Sequence, residues 1–310
     1  MKEYKKLLVV IDPTSQHQAA LNRAIELAKV NHAHITVFLS IFDFSYEMTS
    51  ILSSEERDAM RQGVIDQRVE WINDLIAHPK QQGVDIDACV VWHNRPFESI
   101  ILHAISDNFD VIIKGTHLHD KLKSVIFTPT DWHLMRKAPC PVLLVKEHDW
   151  PVDGKILCAI NVSEEDKEHS RLNQRIIHQA QRLAAKFKAN VHLVNAYPGT
   201  PVNISIELPD FDALTYNESM RVQHDNRLKD IALQHDIKPE NCHTHEGLPE
   251  DVIPELAQTL DAELVILGTI GRTGISAALI GNTAEHVIDN INCDLLTIKP
   301  EGYISPLLQS

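Results

Sequence analysis

The sequence predicts an α/β chain in which one doubly wound unit occurs twice. Three observations carry that expectation. Short apolar runs alternate with helix-period stripes, the alternation restarts midway, and one strand of the second copy runs into a glycine-rich loop.

Residues 7–11 form the first apolar run, and Leu21, Ala24, Ile25 and Ala28 then mark one face of a helix. Residues 34–42 read as the next strand. Ser53 and Glu56 have the spacing of a capping box, opening a long helix to about Ala77. Strands at 89–91, 111–113 and 142–145 alternate with helices at 97–105 and 132–136. Strands separated by helices need right-handed crossovers, hence a parallel sheet with helices on both faces. The second half repeats the order. It has a strand at 156–160, a stripe of Leu172, Ile176, Ala180, Leu183 and Phe187, a strand at 191–194 and a helix over 216–233. A strand near Cys242, a helix over 252–257 and a strand at 264–267 follow.

The repetition has a register. Gly268 minus Gly115 is 153, and the same offset pairs Pro96 with Pro249, Thr116 with Thr269, Thr130 with Thr283 and Lys146 with Lys299. Asp12 meets Asn161 at an offset of 149. This internal duplication places the domains at 1–149 and 150–310, joined near Pro151 and Gly154. It also pairs Cys89 with Cys242 and Cys140 with Cys293, which fits small core residues.

Of 310 residues, 44% are hydrophobic and 23% charged, a globular balance with length for two domains. The 29 Lys and Arg face 43 Asp and Glu, a net charge of −14 that argues against a nucleic-acid surface. There is no 18-residue apolar span, and the first four residues lead straight into a strand pattern. No membrane insertion is therefore expected, and the expected location is cytoplasmic. Five cysteines without framework spacing fit a reducing compartment.

The chemistry concentrates between the strand at 264–267 and a helical stripe of Ala284, Val287, Ile288 and Ile291. Between them lie Gly268, Gly271, Gly274 and Gly281. Glycine lets main-chain N–H groups approach an anion, and the unpaired N–H groups of a helix start point at it, so phosphate is the expected ligand. At the matching positions the first half carries Gly115, Leu118, Lys121 and Thr128, and Pro129 stands opposite Asn282 with no N–H to give. The first half is not expected to hold phosphate in this manner.

The spacing Gly268-x2-Gly271-x9-Gly281 resembles the nucleotide-binding signature of the universal stress protein family. Residues 44–48, 93–98, 127–133 and 271–278 are similar to its tandem members, and the likeness covers about residues 4–300. The resemblance implies two tandem flavodoxin-like (Rossmann-like) domains, each a five-stranded parallel sheet with helices on both faces, paired as an internal pseudo-dimer or associating as a homodimer. It implies a stress-response protein that binds ATP or ADP, or AMP, in its second domain and acts as a regulatory binding module. Carried over residue by residue, Gly268, Gly271 and Gly281 supply backbone donors, Thr283 a hydroxyl or helix cap, and Asn161 lies by the adenine or ribose. Val162, Ser163, Gly247, Thr269, Arg272 and Asn282 complete the implied nucleotide site. The family usually has an acid where Asn161 stands and Ser or Thr where Asn282 stands; Asn161 still hydrogen-bonds a base or ribose, and Asn282 still caps a helix.

Two alternatives accompany this reading. One is a slow ATPase, with Arg272 and the helix start stabilising charge on the leaving phosphate. The other makes the first domain a carrier of a small apolar or lipid-like ligand, lined by Phe44, Tyr46, Phe97, Phe127 and Trp132, or of zinc. His117, His119 and His133 are the candidate zinc ligands there, and Cys242, His243 and His245 form a similar cluster in the second half. Eighteen histidines make close pairs by chance and neither cluster has Cys-x2-Cys spacing, so no metal is assigned. There is no nucleophile elbow for acyl transfer, and residues 161–165 replace the glycines of a dinucleotide fingerprint after the first strand, which argues against a dehydrogenase.

Overall fold

Most of the apolar runs become strands covered on both faces, which is why they carry so few polar residues. The computed structural model describes residues 3–47, 52–118, 125–126, 128–146, 148–163, 167–200, 212–269, 287 and 290–308. The chain divides into two compact units. One is made of Lys2–His117, Phe127–Glu147 and Ile304–Ser310, the other chiefly of His148–Tyr303 with Leu118–Ile126.

The first unit contains β1 (Lys6–Val10), α1 (Ala19–Asn31), β2 (His34–Ile41), α2 (Phe44–Glu47), α3 (Ser54–Gln81), β3 (Ile86–Trp92), α4 (Pro96–Ser106) and β4 (Val111–Gly115). After the two-residue strands β5 (His117–Leu118) and β6 (Val125–Ile126) come α5 (Pro129–Lys137) and β7 (Val142–Val145). The parallel strand order is β3-β2-β1-β4-β7. Leu7, Leu8 and Val9 of β1 are wholly buried, as a central strand between two helix layers requires. On α1 the buried stripe is Ala20, Leu21, Ala24, Leu27 and Ala28, and the helix stops at His32, whose φ of 49° is left-handed.

The expected capping box opens α3. Glu56 N–H donates to Ser53 Oγ at 3.2 Å, and Ser53 N–H donates to Glu56 Oε2 at 2.8 Å. Only Ile72 and Ile76 of this helix are buried, so its early turns depend on the cap far more than on packing. At the other end of the unit's chain, Ser305 is fully buried and a 3₁₀ turn, Pro306–Leu308, packs on α4.

The second unit contains β8 (Lys155–Ala159), α6 (Lys167–Phe187), β9 (Asn190–Tyr197), α7 (Ala213–Gln234), β10 (Cys242–Glu246), α8 (Pro249–Leu260), β11 (Leu264–Gly268) and β12 (Asp294–Ile298). Its parallel order is β10-β9-β8-β11-β12. Connections from β8 step outward through β9 to β10, then return to β11 and β12, so the direction reverses between β8 and β11. Right-handed crossovers put α6 and α7 on one face and α8 on the other. Leu172, Ile176, Ile177, Ala180, Leu183 and Ala184 form the buried stripe of α6. The unit's first residues are fastened by Trp150, whose Nε1–H donates to the buried Asp294 Oδ2 at 3.0 Å and whose ring meets Phe187 edge-on at 5.0 Å.

Candidate functional site

In an open parallel sheet, ligands bind outside the carboxyl ends of the strands where the strand order reverses. In the second unit that position lies between Asn161, just past β8, and Gly268, the last residue of β11. The Asn161–Ser163 turn there is held by side chains rather than by other backbone. Asn161 Oδ1 accepts the Ser163 N–H at 2.9 Å, closing an Asx turn. Asn173 on α6 grips Asn161 twice: its Nδ2 donates to the Asn161 carbonyl at 2.7 Å and its Oδ1 accepts the Asn161 N–H at 3.3 Å. The Val162 N–H donates to Asn195 Oδ1 of β9 at 3.2 Å, and the Val162 carbonyl accepts from Arg227 of α7 at 3.1 Å. Four main-chain groups are thus satisfied by three side chains from three elements, leaving the turn little freedom. A cavity of about 230 Å³ lies beside it, lined by Asn161, Asn173, Gln174, Arg227, Asp230 and Gln234 among others.

Gly247 follows β10 at a φ of +142°, a conformation that L side chains rarely adopt, and its N–H donates to the Tyr197 carbonyl at 2.9 Å. Gly268 has a packing reason to be glycine, because a Cβ there would run into the Leu172 side chain. Thr269 is buried, and both its N–H (3.1 Å) and its Oγ1 (3.5 Å) point at the Ile298 carbonyl. Thr116 does the same to the Val145 carbonyl in the first unit, so this is a strand-end lock common to both copies. Gly271, Arg272, Gly281, Asn282 and Thr283 lie outside the described residues.

The first unit arranges the corresponding positions differently. Asp12, in place of Asn161, takes the Thr14 N–H and hydroxyl on its Oδ1 at 2.8 and 2.7 Å, and Gln18 grips its main chain. At the start of α5, Asp131 is wholly buried and caps the helix. Its Oδ2 accepts the Thr128 N–H at 2.7 Å and the Thr128 hydroxyl at 2.9 Å. Lys114 Nζ, from the end of β4, stands 2.8 Å from Asp131 Oδ1 as an ion pair, without hydrogen-bond angles. This helix start therefore holds a carboxylate of its own, where the dipole favours negative charge.

Residues 3–146 and 154–299 each match the Universal stress protein family. The chain belongs to that family. It is 51% identical over 308 residues to Universal stress protein E of Escherichia coli (strain K12), covering 99% of this chain and 98% of the relative. To the Universal stress protein E homolog of Haemophilus influenzae it is 43% identical over 306 residues, covering 96% and 98%. Among solved structures, a putative universal stress protein from Pseudomonas aeruginosa UCBPP-PA14 is similar at 31% identity with a TM-score of 0.76, over 99% of this chain and 97% of that one. A universal stress protein from Archaeoglobus fulgidus DSM 4304, at 16% identity and a TM-score of 0.59 over 96% and 97%, shares the fold.

Of the candidate metal ligands in this universal stress protein, His133, Cys242, His243 and His245 are described with their side chains. His133 stacks on Phe97 at 3.9 Å, and burial, reinforced by Lys137 and Arg136, holds its imidazole below the usual pKa. His117 falls in β5, and His119 lies outside the described residues. On β10 strand alternation puts Cys242 on the opposite face from His243 and His245. His243 faces His192 of β9, with Nε2 3.0 Å from Nδ1. Among the described residues no group of three His, Cys, Asp or Glu is placed to hold a metal ion. The paired cysteines lie in or near the core. Cys140 and Cys293 are buried, Cys89 and Cys242 are half-buried, and burial raises the Cys89 and Cys242 thiol pKa values.

The aromatic residues expected to line a pocket in the first domain have these surroundings. Tyr46 meets Trp92 edge-on at 5.6 Å, Phe97 is taken by His133, and Phe44 is 63% exposed. Phe127 lies outside the described residues. Sequence reasoning missed Asn173, Asn195, His224 and Arg227 in the second unit. The available signal was a buried polar residue set against an apolar run: Asn173 beside Leu172 of the helical stripe, and Asn195 directly after Leu193 and Val194.

Proposed function

We propose that this universal stress protein binds an adenine nucleotide, ATP or ADP, or AMP, in its second domain, and acts as a cytoplasmic regulatory binding module in the stress response. The domains are taken as residues 1–149 and 150–310. The observation that carries the reading is the preorganised Asn161–Ser163 turn at the point of strand reversal, beside the strand that leads into the glycine-rich segment. A turn already locked loses little entropy when a base or ribose docks on it. On this reading the backbone of Gly268, Gly271 and Gly281 receives the phosphates, Arg272 and Thr283 add side-chain donors, and Asn161 contacts the adenine or ribose.

The asymmetry between copies supports assigning the site to the second domain. In the first, the Asp131 carboxylate already fills the helix start that a phosphate would need, and Pro129 removes a donor. Nucleotide occupancy would then act by favouring one pre-existing arrangement of the surrounding loops. The test is mass spectrometry of small molecules released on denaturing the purified chain, followed by calorimetric titration with ATP. Wild-type protein should bind one ATP per chain, and Gly271→Val should lose at least tenfold in affinity. An absence of bound nucleotide together with no heat on ATP addition would refute the reading.

A further inference from the structure

We propose that Asn195 and His224 are positioning residues for the Asn161–Ser163 turn, held by the neutral Nε2–H form of His224, so that protonating His224 loosens the turn and weakens nucleotide binding. The nucleotide clause rests on the reading above; the positioning clause stands without it.

The assignment of protons follows from one fixed point. A main-chain N–H can only donate, so the Asn195 atom 3.2 Å from the Val162 nitrogen is the carbonyl Oδ1. The Asn195 amide nitrogen then faces His224 Nδ1 at 2.9 Å, and an amide nitrogen can only donate. His224 Nδ1 is therefore the bare, accepting nitrogen, and a neutral ring carries its proton on Nε2. A proton on Nδ1 would set donor against donor. Turning the Asn195 amide over to accept it would bring the amide nitrogen against the Val162 N–H, the same conflict one link nearer the turn. Asn195 is 1% and His224 4% exposed, so solvent has little access to relieve either conflict.

Three further features favour the neutral ring. Tyr197 of β9 stacks on it at 4.9 Å and 28°, fixing its orientation. Burial, and then the charge of Arg227 three residues on, hold its pKa below 6.5. Around the stacked Tyr197 stand Arg221 and Glu218 on α7 and Glu246 on β10. Arg227 also donates to the Val162 carbonyl, so α7 addresses Val162 at both its N–H, through Asn195, and its carbonyl. In the first unit Pro13 stands at the position of Val162 and has no N–H to be held in this way.

The experiment uses the full-length chain and two readouts. The first, without nucleotide, is the His224 tautomer from long-range ¹H–¹⁵N spectra, assigned by loss of its signals in a His224→Asn variant, together with the Val162 amide exchange rate. The second is ATP affinity at pH 8 and pH 5. We expect an Nε2–H tautomer and a protected Val162 amide. Protection should fall at least tenfold in Asn195→Leu and His224→Leu, and survive in His224→Asn, whose amide oxygen can replace Nδ1 as acceptor. ATP affinity should drop about tenfold in the two Leu variants at pH 8. The terminal phosphate of ATP itself protonates near pH 6, so His224→Asn is the reference: wild type should lose several-fold more affinity than that variant between pH 8 and pH 5. An Nδ1–H tautomer, or unchanged Val162 exchange in Asn195→Leu, overturns the positioning role. Equal ATP affinity in wild type and Asn195→Leu overturns the coupling. If the first readout behaves as expected and wild type binds no ATP at pH 8, the nucleotide reading falls while the positioning role stands.

Discussion

Replacing Lys114 by Met tests whether the first unit depends on its internal ion pair. The Lys114 side chain is 12% exposed and that of Asp131 is fully buried, with 2.8 Å between the charges. At an effective dielectric constant of about 20, two unit charges at that separation attract by roughly 6 kcal/mol, and the cost of desolvating two ions is of similar size. The pair therefore contributes little in net terms, yet removing one partner strands the other. Methionine keeps the bulk of the stem and deletes the charge, leaving a buried carboxylate whose remaining partner among the described residues is Thr128. The expected loss is about 3–5 kcal/mol. In a Lys114→Met, Asp131→Asn double variant the stranded charge is gone and asparagine still accepts the Thr128 N–H, so at least half of the loss should return. Urea unfolding followed by tryptophan fluorescence suits the measurement, because Trp71, Trp92 and Trp132 fall in the first unit and only Trp150 in the second. A single variant that loses less than about 1 kcal/mol, or a double variant no more stable than the single one, would refute the argument.

Two further predictions follow from packing and titration. Gly268→Ala should cost about 1–3 kcal/mol, because its Cβ meets the buried Leu172 side chain, whereas Gly115→Ala at the matching position meets only the Ala20 Cβ at 4.0 Å and should stay within about 0.5 kcal/mol of wild type. Comparing the two melting curves decides it. Burial first, then His243 and Lys155, lowers the His192 pKa to about 4. An unfolded histidine near 6.5 takes up its proton earlier, so stability is constant above pH 7 and falls between pH 6.5 and 4, by at most about 1.4 kcal/mol per pH unit for this group. Urea midpoints across that range should fall less steeply in His192→Gln than in wild type.

How much could be read in advance depended on whether a signal was local. The central strands β1, β4, β8 and β11 were legible because helices on both faces demand unbroken apolar runs. The α3 boundary was legible because a capping box lies within four residues. The edge strand β3 was seen only in part, since among its seven residues only Ile86 is buried and the rest carry a weak alternation. Thr269 was legible as the residue that follows β11, but the Ile298 carbonyl its hydroxyl faces lies 29 residues away and no local pattern announces it. The grip on the Asn161–Ser163 turn was hidden for the same reason, since its bonds span 12, 33 and 65 residues. Asparagine and arginine at such positions read as surface until the fold brings them together.

The first copy shows how a helix start can be closed by the chain's own charges. In the first, charge is balanced internally: Asp131 meets the dipole, Lys114 meets Asp131, and Asp12 adds a further carboxylate beyond β1. An incoming phosphate there would face the Asp12 carboxylate, a helix start already occupied by Asp131, and a proline without an N–H. In the second, the matching turn is built from neutral amides, with Asn161 where Asp12 stands and Asn173 and Asn195 beneath it, and the cation holding it is Arg227. The change from Asp to Asn removes a negative charge from the carboxyl end of the sheet while keeping the Asx turn, because either side chain accepts the N–H two residues on. Deleting Asp131 alone would therefore not convert the first copy into the second. The charge at Asp12 would remain, and Pro129 would still withhold a donor.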